Sequence, residues 1–138
     1  MLARLALLAA APLIPPAEPL AGQIRAAIWY DLQVNAMIGN GNWLGSLWYN
    51  AGSSERPNLH IQALRCRGRN AVIRCAFRLF RDGGPVITVF NGEVAPDTLD
   101  CNARFVRAVG EDGWRVRHIP PRRGGHSRTA MRCRNVAG

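Results

Sequence analysis

The chain has 138 residues, 48% apolar and 20% charged, with 18 basic against 9 acidic residues and a formal net charge of +9. That length makes one domain the expectation and leaves no room for a dinucleotide-binding domain joined to a substrate domain. Four Trp and four Phe at so modest a charge argue against global disorder, and the lack of an uninterrupted apolar run of about 18 residues argues against a conventional membrane span.

Met1 to about Gly22 reads as a secretory signal. Arg4 and the amino terminus give a weakly positive start, Leu5 to Ile14 form a short apolar run, and Pro15 and Pro16 end it before processing at Ala17 or Ala21. A buried first helix would have to survive Pro12, Pro15, Pro16 and Pro19. No Cys lies near the cleavage zone to carry a lipid anchor. Residues 1–21 are therefore expected to be an export signal and residues 22–138 a single small domain, periplasmic or secreted.

Gln23 to about Ile38 is the helix candidate, with Ile24, Ala27, Ile28, Val34 and Ile38 near a 3.6-residue period and Arg25, Asp31 and Asn35 mostly elsewhere. Gly39-Asn40-Gly41 stops it. Asn42 to Asn58 reads as a loop with a short extended piece at Leu44–Tyr49.

The remainder has the alternation and turn chemistry of an antiparallel meander. Leu59–Cys66 and Ala71–Arg81 are strands joined through Arg67-Gly68-Arg69-Asn70. Asp82-Gly83-Gly84 turns the chain into Pro85–Phe90, and Asn91-Gly92 is a hairpin signal. Pro96-Asp97 begins an irregular stretch. Cys101–Val109 and Trp114–Ile119 flank a turn at Gly110–Gly113, a loop follows from Pro120 to Gly125, and Ser127–Arg134 is the last strand. The predicted class is α+β, one N-terminal helix packed on an antiparallel sheet of five or six strands. That order resembles the cystatin-type architecture in shape alone, since the inhibitor motif of that family is absent, and shape does not imply function.

Cys66, Cys75, Cys101 and Cys133 all lie in the expected mature part, an even number that favours two disulfides in an oxidising compartment. Three connectivities are possible. Cys66–Cys75 is favoured because it brackets a candidate hairpin, and Cys101–Cys133 because it can tie two later strands. No spacing matches the close Cys pairs of zinc sites, and neither metal nor cofactor is expected.

Side-chain alternation then assigns faces. Ile73, Cys75, Phe77 and Leu79 share one side of their strand and Arg74 and Arg78 the other; Cys101, Ala103 and Phe105 oppose Arg104. Trp114 and Val116 oppose Arg115 and Arg117, and Met131 and Cys133 oppose Arg128, Arg132 and Arg134. Eight arginines thus gather on one face, with Arg107 as the exception on the apolar side. Every basic residue in the chain is Arg, which codon bias alone could produce. Guanidinium groups nevertheless stay charged and offer forked donors suited to phosphate, sulfate and carboxylate. An anionic polymer, a lipid head group or an acidic protein would suit such a face. Nucleic acid suits it less, because Phe77, Phe105 and Trp114 fall on the opposite side, away from any base-stacking role.

Trp43, Trp48 and Tyr49 could form a partner contact, although burial over the core is the commoner fate of such residues. Gly39-x-Gly41-x₃-Gly45 follows a helix and lacks dinucleotide-loop spacing. His60, His118 and His126 stand in no hydrolase motif; His118 reads as a core-edge residue, and Glu55 with His60 is the least implausible acid–base pair. The expectation is an exported, non-catalytic binding protein using the arginine face. The alternatives are an inhibitor or accessory of an exported enzyme contacting it through Trp43–Tyr49, and a small hydrolase-like enzyme without a recognisable motif.

Overall fold

The computed structural model describes residues 12–51, 58–69, 71–88, 92–108, 113–121 and 127–136. Helices α1 (Leu20–Ile38) and α2 (Trp43–Ala51) precede strands β1 (Leu59–Arg69), β2 (Val72–Arg81), β3 (Val86–Ile87), β4 (Val94–Ala95) and β5 (Thr98–Arg107). The chain continues with β6 (Trp114–Val116), β7 (His118–Ile119), β8 (Arg128–Thr129) and β9 (Arg132–Asn135). The main five-stranded sheet runs β1-β2-β5-β6, with β9 also paired to β5, all antiparallel. β6 and β9 lie end to end along one edge of β5, taking Phe105–Arg107 and Leu99–Asn102 respectively. The architecture is α+β, two helices packed on one face of an antiparallel sheet.

The apolar stripe of α1 is formed by Ala21, Ile24, Ala27, Ile28 and Leu32, but Asp31 and Asn35 are buried in the same stripe. Val34 is only half-buried and Ile38 is exposed, against the expectation from periodicity. The cause is a polar anchor at the end of the helix. The Asn35 side-chain oxygen accepts from the backbone N–H groups of Asn40 at 2.8 Å and Asn42 at 3.2 Å, and its amide donates to the Asn42 carbonyl at 2.6 Å. Gly39 ends the helix at φ 63°, in the left-handed region expected for that stop.

Leu44–Tyr49 is helical rather than extended. Asn42 caps α2, its Oδ1 accepting from the Gly45 N–H at 3.2 Å. Gly45 permits this because a Cβ there would overlap the Asn42 amide. Trp48 faces the core, fully buried and stacked on Trp29 with centroids 6.3 Å apart. At the other end of α2 the buried Arg81 guanidinium donates to the Trp48 carbonyl and lies 5.5 Å over its ring. It thereby satisfies a helix carbonyl that has no partner within the helix.

β1 continues as a strand through Arg67, Gly68 and Arg69, where a turn was expected. The ladder persists because Cys66 stands directly opposite Cys75, and because Gly68, at φ 104°, passes so close to Val72 that a Cβ would lie 2.8 Å from its carbonyl oxygen. Earlier in β1 the register shifts between Gln62 and Arg65, with Ala63 at φ 53°. This bulge inserts one residue and reverses the parity, so that Leu59 and Ile61 but then Leu64 and Cys66 face inward. Of the expected strand Pro85–Phe90, Val86–Ile87 pairs with Val94–Ala95, and residues 89–91, where the rest of that strand and the start of the Asn91-Gly92 turn were expected, lie outside the described residues. β5 starts at Thr98, so the irregular stretch after Pro96 is brief. Trp114–Ile119 and Ser127–Arg134 each break in two: the Arg117 N–H bonds the Arg104 carbonyl and the Ala130 N–H bonds the Arg117 carbonyl, both at 2.8 Å, while β7 and β8 form a separate ribbon.

The core is the inner sheet face, including Ile73, Phe77, Leu79, Leu99, Phe105 and Val116, closed by the two helices. Burying each such large side chain contributes about 1.5–3 kcal/mol. Both disulfides cross between directly opposed strand positions, Cys66–Cys75 and Cys101–Cys133, the pairing favoured from the sequence. No helix among the described residues is long and apolar enough to cross a membrane.

Candidate functional site

The outer face of the sheet is a grid of rows set by the register. One row runs Gln62, Arg78, Asp100, Arg134, and the next Arg65, Ala76, Asn102, Arg132. The third runs Arg67 opposite Arg74, Arg74 opposite Arg104, and continues to Arg117, whose N–H bonds the Arg104 carbonyl. Four arginines therefore stand side by side, three on β1, β2 and β5 and the fourth, Arg117, between β6 and β7. Like charges directly opposite one another on a sheet destabilise it. Among the described residues neither Arg74 nor Arg104 has a carboxylate within ion-pair distance.

Three of the row, Arg67, Arg74 and Arg104, border a cavity of about 220 Å³ whose lining also includes Asn102, Ala76 and Leu13. Leu13 is carried there by the segment before α1, where Ile14 exchanges two backbone hydrogen bonds with Cys66, at 2.9 and 2.7 Å. The arrangement is concave and rich in forked donors, and Ala76 leaves the centre open.

The other sequence-predicted arginines are placed differently. Arg78 is bonded to Asp100 at 3.0 Å. Arg132 folds back on its own strand, donating to the carbonyls of Thr129 at 2.6 Å and Met131 at 2.9 Å. Arg134 ends the Asp100 row, and Arg128 lies off the main sheet on β8, its stem against Gly41 at the helix–helix corner. Arg115 is exposed at the β6 edge. Arg65 and Arg67 were missed by sequence reasoning, Arg67 because it was assigned to a turn where β1 in fact continues, and both because the bulge at Ala63 resets the alternation of β1. A positive φ at an Ala leaves no mark in composition.

Of the aromatic trio, Trp48 is fully buried and donates to the Asp97 carbonyl at 3.2 Å, Tyr49 is half-buried, and Trp43 alone is exposed. His60 pairs with Asp82 at 2.8 Å on the surface, while Glu55 and His126 lie outside the described residues. A second polar cluster sits between α1 and the β6 edge. His118 Nε2 is 3.0 Å from Asp31 Oδ1, and the Thr129 hydroxyl donates to Asp31 Oδ2 at 2.7 Å while accepting from the Met131 N–H at 3.1 Å. Asp31 is 3% exposed. The pair opens onto a cavity of about 650 Å³. Asp31 escaped the sequence reading because a carboxylate was assigned to the solvent side of α1; its i, i+4 spacing to Ala27 and Asn35 was the available signal.

Burial pushes the Arg81 guanidinium below its ordinary value, and the nearby Asp97 carboxylate acts in the opposite direction. Its contacts are with Trp48, so it serves the fold. No group of His, Cys, Asp and Glu that could hold a metal is present among the described residues. No protein-family model, curated protein or solved structure matches the chain.

Proposed function

We propose that this is an exported binding protein whose outer sheet face holds an anionic partner, with the row Arg67, Arg74, Arg104 and Arg117 at its centre. The observation that carries this reading is the in-register alignment of like charges over an open cavity. A bound sulfate, phosphate or carboxylate group would relieve the repulsion that the row imposes. The net charge of +9 adds a long-range field that speeds encounter. Two disulfides support the oxidising compartment. Phe77, Phe105 and Trp114 are buried on the inner face, and Phe80, on the outer face, is already stacked on His60. That distribution favours an anionic envelope polymer over stacked bases.

The test uses dextran sulfate as the polymer. Binding is expected to weaken steeply with salt, and the double variant Arg74→Gln/Arg104→Gln to lose at least about tenfold in affinity, equivalent to roughly 1.4 kcal/mol. Arg25→Gln, on α1 and already paired with Glu18, should bind as the parent does. Equal binding by all three proteins would show that the row is only a solvated face.

A hydrolase-like reading has one observation in its favour, the His118 ring held by a buried Asp31 beside a large cavity. The inhibitor reading is weakened by the burial of Trp48 in α2.

A further inference from the structure

The seam between α1 and β6 shares Arg117 with the arginine row and is otherwise lined by different residues. Its lining combines the apolar Val34, Val106 and Val116 with Arg107, Arg115 and Arg117, beside Asp31 and His118. A second cavity of about 610 Å³ continues along the same seam, sharing Tyr30 and Arg115 and adding Ala26, Ala27, Ala108 and Trp114. The first cavity thus carries most of the cations, and the second is lined mainly by small and aromatic groups around Arg115. Tyr30 borders both cavities and is 68% exposed, an aromatic side chain that the core does not use.

From these features we infer that the α1–β6 seam is a binding site for a small organic anion with an apolar body. The anionic group belongs at the Arg115–Arg117 end, and the body along Val34, Tyr30 and Trp114. Cavities of roughly 300–1,000 Å³, mostly apolar with a few placed polar groups, are the usual form of small-molecule sites. Two details favour an anion despite the carboxylate in the wall. Both oxygens of Asp31 already accept hydrogen bonds, from His118 and Thr129. Arg107 is held 5.0 Å over the Trp114 ring, which fixes part of its freedom before any ligand arrives.

The probe for this site is anilinonaphthalene sulfonate, an aromatic body bearing one sulfonate. Its fluorescence should rise to saturation at one equivalent per chain. Val34→Trp, which fills the seam, should abolish that response, and Tyr30→Ala, at an exposed position that leaves the fold intact, should weaken it. Arg115→Gln should weaken it about tenfold, the value of one charge-assisted hydrogen bond near 1.4 kcal/mol. The neutral analogue phenylnaphthylamine and inorganic sulfate should each bind worse than the probe, because each supplies half of what the seam recognises. Arg74→Gln/Arg104→Gln should leave the probe response unchanged while losing dextran sulfate, so the two sites can fail independently. Probe binding indifferent to both Val34→Trp and Tyr30→Ala would overturn the site, and equal binding of the neutral analogue would overturn its preference for an anion.

Discussion

Arg74 and Arg104 face each other directly across the β2–β5 ladder, and each has a further arginine on its other side. Directly opposed like charges cost roughly 0.2–1 kcal/mol per pair. Arg104→Gln should therefore raise stability by a few tenths of a kcal/mol up to about 1 kcal/mol in a urea titration at low salt. The gain should shrink as salt rises, because the screening length falls from about 30 Å at 0.01 M to about 10 Å at 0.1 M. A loss of stability on substitution would mean that the guanidinium group holds the sheet together instead of straining it.

The Asp31 carboxylate joins α1 to both halves of the β7–β8 ribbon, through His118 and Thr129. Thr129 is fully buried, so Thr129→Val leaves one carboxylate oxygen and the Met131 N–H without their partner. The expected cost is about 1–3 kcal/mol. Asp31→Ala should cost more, since it strands Thr129 and His118 together. His118→Gln should cost less than either, because that side chain is 37% exposed and water can replace it. Thermal melts of the three variants test this order, and a His118 variant as damaged as the Asp31 variant would contradict it.

The sheet and its disulfides were legible in the sequence because strand alternation is a local signal. Ile73, Cys75, Phe77 and Leu79 announce an inward face, and Cys101 with Ala103 and Phe105 announces the next. What escaped was produced by tertiary partners. Leu44–Tyr49 looks extended until Asn42 caps it and Trp48 finds Trp29. Asp31 looks like a solvent-facing residue until His118 and Thr129, both distant in the chain, arrive to satisfy it. The arginine row was half legible. Arg74, Arg104 and Arg117 follow from parity, while Arg67 was read into a turn and joins the row because β1 runs on through it past a bulge that parity cannot register.

The two disulfides close loops of different length, with sequence separations of 9 for Cys66–Cys75 and 32 for Cys101–Cys133. In the chain-entropy model the shorter is worth about 2.5 kcal/mol and the longer about 3.5–4 kcal/mol. Paired Cys→Ala replacement at 101 and 133 should consequently lower the urea midpoint further than the same replacement at 66 and 75. Cys101–Cys133 also fastens the last strand, which among the described residues has only β5 as its sheet neighbour. An equal loss from the two replacements would show that strain or residual structure in the unfolded chain outweighs loop entropy.

Export predicts a cut, and the first turn of α1 discriminates between the two candidate positions. Glu18 Oε2 accepts from the Gly22 N–H at 3.0 Å, and Oε1 pairs with Arg25 at 3.1 Å. A carboxylate at a helix amino end satisfies an otherwise unpaired donor and complements the positive end of the helix dipole. Processing after Ala21 would remove Glu18 and leave the helix to begin at Gly22 without the buried Ala21. Processing after Ala17 would keep both, and would give up the Ile14–Cys66 bridge at the β1 edge, the Leu13 side of the arginine cavity and the Ala17 carbonyl that accepts from the Ala21 N–H. The exported chain should therefore begin at Glu18, as read by intact mass of the protein recovered from the periplasmic fraction or medium. In that chain Glu18→Gln should cost about 0.3–1 kcal/mol at low salt. A mature chain starting at Gly22 would refute the cap argument. One that retains Ile14 would instead make the bridged segment a lasting part of the β1 edge, with Leu13 kept over the arginine cavity.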